Sequence, residues 1–213
     1  MTEVNLPNIN KVNEYSTLIE QEPSNCHHYV SRGNIKCSYK DISGAISDYN
    51  RAIAIEPNYA RAYLNRGAAK FSMDDFNGAM DDYYLSLKIN TKYHLAYRNL
   101  ALVENRLGNF KKAIELFTKA IEIEPKAKYY LERGISRGEI RDSYGAIQDF
   151  SKAIEINERC QEAYYQRGLT LLLLEDITSA FDDFLKTVEI DGTFTDGREM
   201  LASTQARLNP EVI

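Results

Sequence analysis

Residues 29–57 read YVSRGNIKCSYKDISGAISDYNRAIAIEP, and four later stretches follow the same plan. Tyr63 opens YLNRGAAK with GAMDDYYLSLKI behind it. Tyr97 opens YRNLALVE with KAIELFTKAIEIEP, Tyr130 opens YLERGISR with GAIQDFSKAIEI, and Tyr164 opens YYQRGLTL with SAFDDFLKTVEI. The five tyrosines follow one another by 34, 34, 33 and 34 residues. A repeat at such a period decides the fold before any local reading does, because each copy buries its apolar face only against its neighbours.

The copies divide the chain into five repeats, 26–59, 60–93, 94–126, 127–160 and 161–194. Each contains two helical patterns joined by a short polar turn: Lys40-Asp41, Asp74-Asp75, Gly108-Asn109, Arg141-Asp142 and Glu175-Asp176. No alternation with a period of two is present, so no sheet is expected. Gly33, Gly67, Ala101, Gly134 and Gly168 are small and let two helix backbones approach. Ala45, Ala79, Ala113, Ala146 and Ala180 do the same on the second helix. Tyr49, Tyr83, Phe117, Phe150 and Phe184 follow four residues later on the same helical face.

Outside the repeats, residues 1–25 hold a tail and one capping helix. Residues 1–8 carry no period and are expected to fray. From about Ile9 to Gln21, Val12, Tyr15, Leu18 and Ile19 mark one helical face, and Pro23 follows where a helix should stop. Residues 195–213 place Met200, Leu201 and Leu208 on a last helix that caps the array, with a loose end from Asn209-Pro210.

Composition narrows the function. Of 213 residues, 44% are apolar and 27% charged, the ordinary balance of a globular chain. No apolar run is long enough to span a bilayer. The start, MTEVNLPNINK, has neither a basic nor an apolar signal region. Three cysteines without CxxC spacing argue against a disulfide framework and a structural zinc site, so a reducing compartment, the cytoplasm, is expected. The net charge of −5 and the absence of a concentrated basic stretch argue against nucleic acid.

The small residue at the eighth position, the Ala-x-x-x-aromatic of the second helix and the period together resemble the tetratricopeptide repeat, over residues 26–194. The sequence departs from that pattern in places. Tyr stands for the usual Trp, and Arg precedes the small residue in four repeats. Lys36, Lys70, Glu104, Arg137 or Leu171 stands for a usual Tyr. The Arg-Gly form resembles a bacterial variety of these arrays. The resemblance implies an all-α, right-handed solenoid with terminal capping helices, a protein-binding scaffold with neither cofactor nor catalysis.

Two constellations carry charge. Arg32, Arg66, Arg133 and Arg167 each precede an aspartate by sixteen residues, Asp48, Asp82, Asp149 and Asp183, while the third repeat has Leu100 and Leu116 in both places. Charges that come and go together within one chain imply an ion pair between the two helices of a repeat, with the fork of Arg suited to a carboxylate. Cys26-His27-His28 with Cys37 offers metal-ligand types, but the three neighbours diverge at a helix start and no metal is expected. No HExxH, phosphate loop or nucleophile elbow is present, and no catalytic residue is assigned.

In the resembled family peptides bind a concave face lined by the first helices. Carried over by position, that face holds Arg61, Leu64, Asn65, Leu95, Arg98, Asn99, Leu102, Arg106, Lys128, Glu132, Tyr165, Gln166, Leu169 and Leu172. The basic middle and the apolar fifth repeat imply an extended partner, acidic where it meets Arg61, Arg98, Arg106 and Lys128 and apolar near Tyr165, Leu169 and Leu172. One subgroup of the family clamps a chaperone's C-terminal carboxylate with two Lys, two Asn and an Arg. Asn34 and Asn65 match the two Asn, but Val30, Leu95 and Asn99 stand where the cations are needed, which argues against that ligand. Two rivals compete: an assembly subunit joined through its ends or convex face, which the run Leu171–Leu174 favours, and a regulator of a separate enzyme.

Overall fold

The computed structural model describes residues 6–208, and the loose ends expected at the extreme termini fall partly outside them. The described residues form twelve helices and no strand: α1 (Leu6–Gln21), α2 (Cys26–Ser38), α3 (Ile42–Ile55), α4 (Ala60–Phe71), α5 (Phe76–Ile89), α6 (His94–Arg106), α7 (Phe110–Ile123), α8 (Ala127–Glu139), α9 (Ser143–Ile156), α10 (Gln161–Leu173), α11 (Ile177–Ile190) and α12 (Thr195–Leu208). The expected all-α architecture is the observed one. The helix expected from Ile9 begins three residues earlier, at Leu6, because Pro7 in a first turn needs no intrahelical N–H partner.

The chain forms two compact halves, Met1–Val103 and Glu104–Ile213, with the division inside α6. In the first half, α2 packs against α3 and α4 against α5, while α1 and α3 each pack against the first helix that follows. In the second half, α8 pairs with α9 and α10 with α11. There α7, α9 and α11 each contact the next first helix, α12 included.

The turn inside each repeat has one design. Lys40, Asp74, Arg141 and Glu175 adopt φ of 72°, 60°, 61° and 63°, and Gly108 takes 76° in the third repeat. Two bonds close the first helix around that residue. In the first repeat Asp41 N–H reaches Lys36 C=O at 3.0 Å and Lys40 N–H reaches Cys37 C=O at 3.1 Å. The next residue starts the second helix. Asp41, Asp75 and Asp142 accept from the N–H of Gly44, Gly78 and Gly145 at 3.0 Å, and Asp176 from Ser179 at 3.1 Å.

The small residue of the first helix makes room chiefly for an aromatic ring. A Cβ at Gly67 would lie 2.7 Å from Tyr83 Cε1, and one at Gly168 would lie 2.8 Å from Phe184 Cε1. Ring over glycine, more than backbone against backbone, holds the two helices together. Tyr49, Tyr83, Phe117, Phe150 and Phe184 are all buried. The exposed residues of α12 are mostly polar, Arg198, Glu199 and Gln205 among them. No helix among the described residues is long and apolar enough to cross a membrane.

Candidate functional site

Buried charges join the two helices in four of the five repeats. Each of the four arginines holds its aspartate by two parallel bonds. Nε and Nη2 reach the carboxylate at 3.0 and 2.6 Å for Arg32–Asp48, and at 2.9 and 2.5 Å for Arg66–Asp82. The same bonds are 2.9 and 2.7 Å for Arg133–Asp149, and 2.8 and 2.7 Å for Arg167–Asp183. All four aspartates are buried. The carboxylate bonds raise the guanidinium pKa of Arg32, Arg66 and Arg167, against a smaller opposing effect of burial. Each guanidinium also lies over the tyrosine ring one turn earlier, with Cζ 5.8 Å from the Tyr29 centroid and 5.5 Å from that of Tyr63.

Two further partners are absent from the sequence reading. The remaining nitrogen, Nη1, reaches back to the helix that precedes the repeat, donating to Ser16 in α1 at 3.0 Å, Asn50 in α3 at 2.7 Å, Thr118 in α7 at 2.9 Å and Ser151 in α9 at 2.9 Å. The signal was present in the sequence: the equivalent position carries Tyr84 and Leu185 before Leu100 and Leu201, where no arginine follows. The second partner is a cation one turn along the first helix. Lys36 Nζ and Lys70 Nζ lie 2.8 Å from Asp48 and Asp82, and Arg137 Nη1 lies 3.1 Å from Asp149. The third repeat reverses this charge. Glu104 is buried there, with Lys112 Nζ 2.5 Å from its Oε1, an oxygen that makes no well-angled hydrogen bond, and Asn109 Nδ2 2.8 Å from its Oε2.

The cysteines and histidines diverge. Cys26 Sγ donates to Glu56 at 3.0 Å, His27 Nδ1 meets Tyr59 at 2.9 Å, His28 Nε2 meets Glu22 at 3.0 Å and Cys37 lies 3.6 Å from Tyr49. Among the described residues no three His, Cys, Asp or Glu converge on a metal position. Burial, then the bond to Glu56, pushes the Cys26 thiol up to about 11.

On the first-helix face of the N-terminal half, a concave pocket of about 320 Å³ is lined by residues that include Asn34, Tyr49, Asn65 and Ser72. Asn34 Oδ1 accepts from Asn65 Nδ2 at 2.7 Å and from the Tyr49 phenol at 2.9 Å. Arg61 is exposed, and Leu95, Arg98, Asn99 and Leu102 are half-buried. Leu64 is the exception in the predicted row. It is only 5% exposed, because its position on α4 turns it into the core, and it offers no surface to a ligand.

In the C-terminal half, Arg106 and Lys128 are exposed and Glu132 is half-buried. Gln166 Nε2 donates to Glu162 at 2.7 Å. Tyr165 meets Phe184 at 5.9 Å and stands edge-on to Phe194 at 5.1 Å, so the segment before α12 shields part of its ring. Leu169 and Leu172 are half-buried, and Leu173 is 78% exposed.

Two family models match the chain, one described as TPR repeat over residues 33–74 and one as tetratricopeptide repeat over residues 94–126. The chain carries tetratricopeptide repeats. No curated protein sequence matches this tetratricopeptide-repeat protein. Solved structures do match it. YrrB, described as a TPR protein with an unusual peptide-binding site, superposes with a TM-score of 0.68 at 18% identity, over 87% of this chain and 96% of that one. MamA gives 0.62 at 27% identity, over 70% and 87%. PilF of Pseudomonas aeruginosa gives 0.75 at 16% identity, over 92% and 99%. These neighbours share the all-α repeat-solenoid fold.

Proposed function

We propose that this tetratricopeptide-repeat protein is a non-catalytic scaffold that binds an extended acidic segment of another protein on its first-helix faces. The observation that carries this reading is the amide pair Asn34–Asn65. Asn34 Oδ1 is occupied twice, by Asn65 and by Tyr49. The Asn34 amide N–H groups and the Asn65 carbonyl oxygen remain at the pocket, and donors beside an acceptor complement the backbone of an extended peptide. Arg61 and Arg98 on the same half supply positive charge, with Leu95 and Leu102 as apolar contacts. Arg106 and Lys128 repeat the basic character in the other half. Support also comes from YrrB, a structural neighbour described as having a peptide-binding site. The free cysteines fit a reducing, cytoplasmic setting.

The test is direct. A partner is recovered from the native host, and its acidic segment is synthesised and titrated against the wild type, Asn65→Ala and Arg98→Glu. Asn65→Ala is expected to weaken binding by about tenfold through the lost backbone bonds. Arg98→Glu is expected to slow association and flatten its salt dependence. Unchanged binding by both folded variants refutes the first-helix face as the site.

A further inference from the structure

We propose that the pocket between α9, α10 and α11 binds the ammonium group of a lysine side chain presented by a partner protein. This surface lies on the second-helix side and is separate from the first-helix faces. Four copies of one charge cluster recur along the chain, and the fourth lacks a cation that the other three have.

In three repeats the buried carboxylate is held by two cations. Besides its arginine, Asp48 has Lys36 at 2.8 Å, Asp82 has Lys70 at 2.8 Å and Asp149 has Arg137 at 3.1 Å. The same cation also donates to a carbonyl at the start of the second helix: Gly44 at 3.4 Å, Gly78 at 3.3 Å and Gly145 at 2.9 Å. The fifth repeat keeps the arginine, with Arg167 Nε 2.8 Å from Asp183 Oδ2, but has Leu171 where the second cation stands. The two acceptors equivalent to those of Lys36 are Asp183 Oδ2 and the Ser179 carbonyl. A pocket of about 320 Å³ opens at that place, lined by Ile147, Arg167, Leu171, Ser179, Asp182 and Asp183 among others.

The lining selects the ligand. A carboxylate oxygen and a carbonyl oxygen both accept, so the group between them must donate. A compact ammonium fits two acceptors, as Lys36 and Lys70 do in the sister repeats. Ile147 and Leu171 line the pocket with hydrocarbon suited to an alkyl stem. Asp182 adds a second, exposed carboxylate. A partner protein rather than a free amine is favoured by the next residues of α10 and its cap. Leu173 is 78% and Leu174 is 37% exposed, beside the exposed acids Glu175 and Asp176. The complementary segment carries a lysine with apolar neighbours.

The experiment follows the leucine and isoleucine methyl resonances of the full chain during titration with the peptide acetyl-Leu-Lys-Leu-amide. Parallel titrations use its Nε-acetylated form and spermidine. The lysine peptide is expected to shift Ile147 and Leu171 saturably, and acetylation to weaken binding by at least about tenfold. Leu171→Lys rebuilds the sister cluster from within and is expected to abolish the shift at Ile147, while Leu171→Met retains it. Asp182→Asn, an exposed change that leaves the core intact, is expected to weaken the peptide several-fold. The proposal is overturned by the absence of a saturable shift at Ile147, by equal binding of the acetylated peptide, or by binding that survives Leu171→Lys in a folded protein. Saturation by spermidine without the peptide overturns the assignment to a partner protein.

Discussion

Arg66 and Asp82 face each other across the two helices of one repeat, joined by bonds of 2.9 and 2.5 Å around a carboxylate that is 1% exposed. The third guanidinium nitrogen reaches Asn50 in the preceding repeat at 2.7 Å. One side chain therefore ties three helices together. Because a buried carboxylate tolerates ionisation only while paired, the energy of this arrangement is concentrated in the cation.

Losses at the four arginines should differ according to what remains. Arg167→Leu leaves Asp183 without a cation and is expected to cost about 3–5 kcal/mol. Arg66→Leu leaves Lys70 2.8 Å from Asp82, so the expected loss is smaller, about 2–3 kcal/mol. Adding Asp82→Leu should recover much of it, since the third repeat already carries Leu100 and Leu116 in these places. Urea unfolding of the singles and the double measures each term. Additive losses at Arg66 and Asp82 would rule out their coupling.

The left-handed turn residues give a second prediction, of opposite sign. Arg141 holds φ of 61° with a side chain that disfavours it. Arg141→Gly is expected to raise stability by about 0.5–1 kcal/mol, the relief of strain exceeding the entropy that glycine loses. Gly108→Ala, at φ of 76°, should lose about 1 kcal/mol. Thermal melts of both variants check the pair, and a loss at Arg141→Gly counts against the account.

Glycine inside a helix separates packing from propensity. A Cβ at Gly67 would meet Tyr83 at 2.7 Å and the Ala79 carbonyl at 3.1 Å, so Gly67→Ala is expected to destabilise by about 1–3 kcal/mol. A Cβ at Gly138 in α8 meets nothing within 4 Å. Gly138→Ala should therefore stabilise by about 0.5–1 kcal/mol. Equal effects at the two positions would mean that the ring does not occupy the space glycine leaves.

Alkaline pH should act through Cys26. Its thiol is raised from 9.0 to about 11 by burial and by Glu56, so the fold favours the protonated form. The stability this contributes is complete below pH 9 and is lost as pH rises to about 11. Burial shifts the phenols of Tyr49 and Tyr83 in the same direction, which extends the loss above pH 10. Reaction with a disulfide reagent at pH 8 should be far slower at Cys26 than in the unfolded chain, and Glu56→Gln should speed it. Equal rates for folded and unfolded Cys26 would contradict its burial beside Glu56.

The sequence by itself determined the class of fold, because one pattern recurs five times and each recurrence tests the last. The pairing of Arg32, Arg66, Arg133 and Arg167 with aspartates sixteen residues on was legible for the same reason: the third repeat lost both partners together. Ser16, Asn50, Thr118 and Ser151 were equally periodic, yet small polar residues on a helix are common enough to carry no signal alone. The tertiary structure decided which side chains have surface to offer. Leu64 and Leu102 share the candidate face in the sequence, but one is buried and the other half-buried. Tyr165 lost part of its exposure to Phe194, which lies outside the periodic pattern. Leu171 read as one leucine among four, and only the geometry of Lys36 and Lys70 marked it as the place of a missing cation. Period establishes which positions are equivalent; burial and pairing depend on how each neighbour fills the shared space, and that is settled only when the helices are packed.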